Sequence, residues 1–598
     1  MAADRVRAVP LGRSDVEIRR EPDGTLRLRS PHPLAPYPRN LTERLAHWAQ
    51  LAPQRTLVAE RDREGGWRTL SYAEAYARTL ALAEALLARG LGPERPLAIL
   101  SENGIDHLLL TLAALHVGVP CAPVSPAYSL LARDATRLRE VLALVTPGLV
   151  YARDEARYGR AVAAAAPAQA DVVYGERFAA LERYAPTARV AQAHARTGPD
   201  TVAKFLFTSG STGRPKAVIN TQRMLCANQQ MLVQALPWLA ATPPVLVDWL
   251  PWHHTAGGNH NVGLVLYNGG TLWIDEGRPM PGLIEKTVRN LREVSPTIYF
   301  NVPRGYEALL PYLREDEALR RRFFAHLGLM QYAAAVLSQP VWEAYGELAL
   351  ATCGERILWI TGYGATETAP FAMSTNRGAV RAGTVGLPVD GIEMKLVPEG
   401  EKLEARFRGP SVTPGYWRDP ERTRAAFDEE GYWRTGDAMR FLDPADPSLG
   451  LEFDGRIAED FKLATGTWVS VGALRSQLVA AASPWVQDAV ITGHDRDEVG
   501  ALVFPSAAGT ALAPAQLRER LREALARLAA EARGSSQRIA RALVLVEPPS
   551  LDAGELTDKG SLNQRAVLAR RARDVERLYA EPAATEVILA ALDRGGAT

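Results

Sequence analysis

Nine consecutive residues carry the densest chemistry in the chain. Thr208, Ser209, Gly210, Ser211, Thr212, Gly213, Arg214, Pro215 and Lys216 follow directly on the apolar run 205–207. Two glycines let the backbone turn tightly and present its N–H groups, the hydroxyls add donors, and Lys216 adds a compact positive charge. Together these make a cradle for the anionic oxygens of a nucleotide phosphate. It is not a Walker A loop, because Gly-Lys-Ser/Thr is absent. A second group, Gly362-Tyr363-Gly364-Ala365-Thr366-Glu367-Thr368, frames an aromatic ring that can stack on a base, then supplies a hydroxyl and a carboxylate suited to a hard cation. Asp437, in Tyr432-Trp433-Arg434-Thr435-Gly436-Asp437, is a carboxylate able to accept from both hydroxyls of a diol. His253, His254 and His260 lie within 248–260, but no Cys, Asp or Glu follows them at zinc-ligand spacing, and a hydrogen-bonded core histidine is the ordinary alternative.

The lysines are few. Seven stand against 62 arginines: Lys204, Lys216, Lys286, Lys395, Lys402, Lys462 and Lys559. A lysine kept in such a chain marks a place where a broad guanidinium does not serve, or else it survives a composition bias by chance.

These residues need a scaffold, and 598 residues at roughly 150 per domain give about four structural units. Ser71 and Glu74 form a capping box before an Ala/Leu-rich helix ending at Gly90. A buried strand at 96–100 and a helix at 105–117 follow. Further core strands are expected at 245–250 and 357–360, and a peripheral alanine-rich helix at 161–170. Helix–strand alternation favours an α/β fold with a largely parallel sheet. Beyond Arg456 the pattern becomes α+β, with a helix at 472–482 and strands at 489–492, 501–504 and 543–546. Leu517, Leu521, Leu525 and Leu528 mark one face of another helix there. The expected division is therefore a large α/β domain over 1–455, with several subdomains, and a small α+β domain over 456–598.

A net charge of +1 supplies no field for nucleic acid. Three scattered cysteines make no disulfide framework. Residues 1–20 lack the apolar core of a secretory signal, and the most apolar stretch, 108–115, is far short of the ~20 residues of a membrane span. The expectation is a cytoplasmic protein without membrane insertion, for which a homodimer remains open.

The loop 208–216 resembles the phosphate loop of the adenylate-forming (AMP-binding) superfamily, and the other stations of that family follow in order over roughly 41–567. The wording of 249–261, 459–475 and 557–567 is most similar to its bacterial feruloyl-CoA synthetases. The resemblance implies an acyl-CoA synthetase with a mobile C-terminal domain, using ATP, Mg2+ and coenzyme A on a small carboxylic acid. It implies ATP contacts at Thr208, Ser209, Gly210, Ser211, Thr212, Gly213, Lys216, Ala334, Tyr363, Gly364, Ala365, Thr366, Glu367, Asp437 and Arg456. Glu367 and Thr208 would hold the metal. His254, Gly258, Asn259, Val302 and Ala333 would line the acid site. Catalytic roles fall to Lys559, His254, Lys462 and Thr366. Most relatives read Gly-Lys where this chain has Lys559-Gly560, and a polar hinge residue where it has Ala458. The resemblance leaves fatty-acyl and other aryl-acid ligases open as alternatives, and a non-catalytic nucleotide or acyl-adenylate sensor as one of another class.

Overall fold

Continuous apolar runs of four residues become strands buried on both faces, as parallel sheets covered by helices require. The computed structural model describes residues 5–132, 134–209, 215–375, 378, 381–550, 553–556 and 562–590. In its first sheet Leu97–Leu100 lies between Cys121–Val124 and Leu149–Ala152, all parallel, with Asp171–Tyr174 at one edge. At the other edge stands the hairpin of Val202–Ser209 and Pro215–Thr221, the only antiparallel pair among the described residues of that sheet. Helix Tyr72–Ala88 starts on the expected Ser71/Glu74 box, and helix Ile105–Val117 ends at Gly118 in the left-handed conformation. The latter is buried on nearly every face, which its unbroken leucines require.

A second sheet has eleven strands among the described residues. Ile298–Asn301, Leu329–Tyr332 and Leu358–Tyr363 run parallel at one end, and the rest pair antiparallel. The expectation of a largely parallel sheet therefore holds for the first sheet and fails for most of the second. There, connections as short as the two residues between Glu393–Glu399 and Lys402–Arg408 permit only antiparallel return. A third, four-stranded sheet sets Val245–Asp248 beside Thr271–Ile274.

Residues 486–589 supply a separate four-stranded sheet, packed by helices Val471–Ala481 and Pro514–Glu531. The leucine face at 517, 521 and 525 is buried as expected. Two local expectations shift. The strand expected at 543–546 is Ile539–Val544, leaving Val546 97% exposed, because the apolar run outlasts the pairing with Val499–Pro505. The alanine-rich helix is Glu155–Ala165, which buries Ala161, Val162 and Ala165, and Pro167 turns Ala166 extended. At the C-terminal end Glu555 is fully buried, bound by Arg571 (Nε to Oε1 2.8 Å) and Arg570 (Nη1 to Oε2 2.6 Å). Among the described residues no helix is long and apolar enough to cross a membrane.

Candidate active site

The hairpin 202–221 brings Lys216 opposite Thr208. Gly210, Ser211, Thr212, Gly213 and Arg214, which connect the two strands, lie outside the described residues, as does the side chain of Ser209. The Thr208 hydroxyl oxygen is buried with no hydrogen-bond partner among the described residues. Such an atom forfeits its hydration unless a ligand replaces it.

Lys216 does not stand free. Its ammonium donates to Glu367 Oε1 at 2.7 Å and to the Tyr416 hydroxyl at 3.2 Å, and it sits 4.5 Å from the Tyr416 ring centroid. The Tyr416 hydroxyl in turn donates to the same Glu367 oxygen at 3.0 Å. Burial pulls the ammonium's pKa down, but the carboxylate and the phenol outweigh it and hold Lys216 above the ordinary lysine value. Backbone stitching fixes the three elements together: Thr413 N donates to Glu367 O at 2.8 Å, and Trp417 N to Ala217 O at 2.9 Å. Sequence reasoning missed Tyr416. Its only signal is an aromatic after Gly415 in a segment without motif, and its register opposite Val218 is a tertiary fact.

Strand Leu358–Tyr363 carries the second group into place. Tyr363, half-buried, donates to Asp437 Oδ2 at 2.6 Å and lies over Phe407 at 5.6 Å between centroids, 22° from parallel. Arg456 Nε stands 3.6 Å from Asp437 Oδ1. Burial pushes the Asp437 carboxyl above its usual range, against the pull of Tyr363 and Arg456. Segment 432–437 runs into strand Trp433–Phe441, which pairs with Leu451–Arg456 and so sets Asp437 opposite Arg456. Gly364 is obligatory, since a Cβ there would lie 1.2 Å from Pro370 O. Ala365 precedes a short turn in which Thr366, Glu367 and Thr368 are all buried. The site therefore draws Thr208 and Lys216 from the edge hairpin of the first sheet, Tyr363, Asp437 and Arg456 from strands of the second, and Thr366 and Glu367 from the turn that follows one of these.

The histidine-rich segment leaves strand Val245–Asp248 and winds into a single π-helical turn over Ala256–Asn261. Gly258 N donates to His254 O at 2.8 Å, and a Cβ on Gly258 would lie 2.1 Å from Trp252 O, so the loop is as close-packed as its glycines imply. His253 and His254 tilt together with centroids 4.2 Å apart, while His260 is buried 4.8 Å from Phe300. Burial lowers the His260 pKa to about 4, so it is neutral. Asn259 is buried within the turn. Val302 caps helix Pro303–Glu315, with its N–H on Asn301 Oδ1 at 2.9 Å. Ala333 is half-buried after strand Leu329–Tyr332, and the exposed Ala334 holds a φ of 74°.

Of the expected catalytic residues, Lys462 is not brought to this cluster. Lys462 is exposed on the hairpin Phe461–Lys462 with Trp468–Val469, its ammonium 5.0 Å from the Trp468 ring centroid. Lys559 lies outside the described residues. Between the two sheets Lys402 donates to Asp454 O at 2.5 Å and Ser470 Oγ at 3.3 Å and pairs with Asp460, bridging the exposed Ala458 turn. Among the described residues no three His, Cys, Asp or Glu side chains gather to hold a metal by themselves.

Comparison with known proteins places this geometry. A family model described as AMP-binding enzyme matches residues 45–417, and one described as AMP-binding enzyme C-terminal domain matches 462–583. A probable CoA ligase CCL8 of Humulus lupulus is 29% identical over 330 residues, 51% of each chain. An anthranilate–CoA ligase of Pseudomonas aeruginosa is 29% identical over 50% of this chain and 54% of its own. A 3-hydroxybenzoate–CoA ligase of Aromatoleum sp. (strain CIB) is 26% identical over 73% of this chain and 80% of its own. The chain spans about half the length of the first two of these relatives. ATP-bound MatB from Rhodopseudomonas palustris superposes with a TM-score of 0.64 at 24% identity, over 90% of this chain and 99% of that one. The anthranilate CoA ligase AuaEII, in complex with anthranoyl-AMP, gives 0.68 at 20% identity, over 90% and 98%. The match of fold, of a large N-terminal and a small C-terminal part, and of a family model over most of the chain leads to one assignment: the chain belongs to the AMP-binding enzymes.

Proposed function

We propose that the chain is an ATP-dependent carboxylic acid:CoA ligase and that its favoured substrate is a hydroxycinnamic acid such as ferulate. The observation that carries the ligase reading is the pair of linked clusters, Lys216–Glu367–Tyr416 and Tyr363–Asp437–Arg456, at the two ends of the segment 363–367. One offers cation and carboxylate to a triphosphate, the other an aromatic face and a carboxylate to a nucleoside.

In the first half-reaction a carboxylate oxygen of the acid attacks the α-phosphorus of ATP. The new O–P bond forms as the bond to the bridging oxygen breaks and pyrophosphate leaves. Lys216, with the hydroxyls and N–H groups of 208–213, holds the departing phosphates. Thr366 contacts the α-phosphate, and Ala334, Gly364 and Ala365 lie along the nucleotide. Tyr363 packs on the adenine while Asp437 and Arg456 take the ribose hydroxyls. Lys559 stabilises the charge that builds on the α-phosphate. Mg2+ fits the residues present: Glu367 offers a carboxylate and Thr208 an unpartnered buried hydroxyl, a two-residue donor set that such a cation completes with substrate phosphates and water. Its contribution when bound is to neutralise phosphate charge. In the second half-reaction the CoA thiolate attacks the acyl carbon and AMP leaves. We place the domain boundary at 455/456, so that a swing about the Ala458 turn withdraws Lys559 and presents Lys462.

The acid site is read as His254, Gly258, Asn259, Val302 and Ala333. The neutral, buried His260 against Phe300, together with the small residues at 257–258 and 333, supports a flat aromatic acid. A second reading, a ligase for another aryl acid, is favoured by the anthranilate and 3-hydroxybenzoate ligases among the relatives. The test is AMP release with CoA across ferulate, p-coumarate, anthranilate, 3-hydroxybenzoate, malonate and a long-chain fatty acid. Ferulate giving no rate while another acid turns over removes the hydroxycinnamate assignment. No acid giving AMP removes the ligase itself. Lys559→Ala should abolish most ATP–pyrophosphate exchange while retaining nucleotide binding.

A further inference from the structure

Lys204 carries no motif in the sequence, yet it is one of the most enclosed cations of the molecule. It is 4% exposed and makes no ion pair among the described residues. Burying an ammonium without a carboxylate is costly, and here burial pulls its pKa down to about 8. Such a group persists where its hydrogen bonds do something an apolar side chain cannot. Lys204 donates to Gly258 O at 2.7 Å and to Asn259 Oδ1 at 3.1 Å, two residues of the acid-side turn.

The grip is double. In the hairpin register Lys204 pairs with Asn220, whose Oδ1 accepts from Asn259 Nδ2 at 2.8 Å; that amide also reaches Thr255 Oγ1 at 3.2 Å. The Asn259 amide is therefore held at its oxygen by one strand and at its nitrogen by the neighbouring one. These are the strands that carry Thr208 and Lys216, so the phosphate-binding hairpin and the acid-binding turn share one buried polar network. Arginine does not fit this role. The ammonium closes on one backbone carbonyl and one amide oxygen in a buried site, a pairing that suits a compact donor, whereas a planar fork needs more room.

Resting on the acid-activating reading above, we propose that Lys204 is a positioning residue for the acid substrate: by holding Gly258 O and Asn259 Oδ1 it sets the turn bearing His254, Gly258 and Asn259 at a fixed distance from the strand that leads into the phosphate loop. It touches neither ATP nor the reacting atoms. Its effect is on where the carboxylate sits relative to the α-phosphorus, so its loss falls on the acid and spares the nucleotide.

The experiment compares wild type with Lys204→Met, which keeps length without charge or donors, and with Asn220→Ala, which removes the other half of the grip. KM is measured separately for ATP and for the best acid of the panel. Hydrogen exchange of segment 255–262 is followed in the free proteins. The expected result is an acid KM at least tenfold higher in Lys204→Met and raised in Asn220→Ala, an ATP KM within twofold, and exchange several-fold faster in 255–262 but unchanged in 215–221. An unchanged acid KM, or both KM values rising together, overturns the assignment. If Lys204→Met fails to fold, Asn220→Ala decides the matter through its own KM pair and exchange. If wild type turns over no acid, the ligase reading fails by itself, and unaltered exchange in 255–262 still decides against Lys204.

Discussion

The Lys216–Glu367 pair yields the sharpest energetic test. The nitrogen–oxygen distance is 2.7 Å, with the lysine side chain 19% and the glutamate side chain 6% exposed, so solvent screens the pair weakly. A charge-assisted hydrogen bond of this kind is worth about 1.5–3 kcal/mol. Removing one partner strands the other, at a cost of roughly 3–5 kcal/mol when the remaining charge is buried. Lys216→Met and Glu367→Gln should therefore each destabilise the free N-terminal domain, while the double variant should cost less than the two together. The expected coupling is about 1.5–3 kcal/mol, read from urea unfolding by tryptophan fluorescence, with Trp417 adjoining the cluster. Tyr416→Phe removes a hydroxyl bound to both groups and should reduce that coupling without abolishing it. A coupling below ~0.5 kcal/mol would mean that the pair behaves as an exposed surface bridge, and the reasoning from burial would be wrong.

Three further outcomes are expected. Tyr363→Phe loses the 2.6 Å donation to Asp437 and should raise the ATP KM about tenfold while leaving the acid KM alone, in line with ~1.5 kcal/mol for a hydrogen bond to a charged group; an unchanged ATP KM refutes the ribose-side role. Ala334→Gly relieves a φ of 74° that costs about 1–2 kcal/mol, against ~0.5–1 kcal/mol of added backbone entropy, so the denaturation midpoint should rise slightly and a fall would refute it. For Glu555, burial raises the carboxyl pKa, but Arg571, Ser550 N and Arg570 outweigh it and hold the pKa below 4.5. Its stabilisation is present above pH 4.5 and lost as pH falls through the lowered value. Glu555→Gln should remove that part of the acid sensitivity, which thermal unfolding of the two proteins between pH 3 and 6 would measure.

Much of the scaffold was readable because it obeys local rules. The Ser71 box, the leucine-rich helix at 105–117 and the leucine face at 517–525 each carry their own signal in capping, periodicity or composition. Parallel versus antiparallel pairing was not readable in this way. Short strands of the second sheet carry similar apolar patterns either way, and connection length decides the direction. The end of the strand at Val544 was missed because hydrophobicity continues to Val546 after the pairing has ended at Val503 opposite Val544.

The lysines mark where local information stops. Read from motifs alone, Lys216, Glu367, Tyr363 and Asp437 are expected to serve one kind of nucleotide chemistry, because each motif encodes its chemistry within a few residues. Lys204, Lys286, Lys395 and Lys402 carry no motif and read as survivors of a bias toward arginine. Tertiary structure gives three of them a partner set: Lys204 on Gly258 and Asn259, Lys395 between Asp428 and Glu430, and Lys402 on Asp460 and Ser470 across the junction. Those partners lie 33 to 68 residues away, on other strands or turns. What a buried charge does depends on who stands opposite it, and that is decided by sheet register and loop packing, which no run of neighbouring residues encodes.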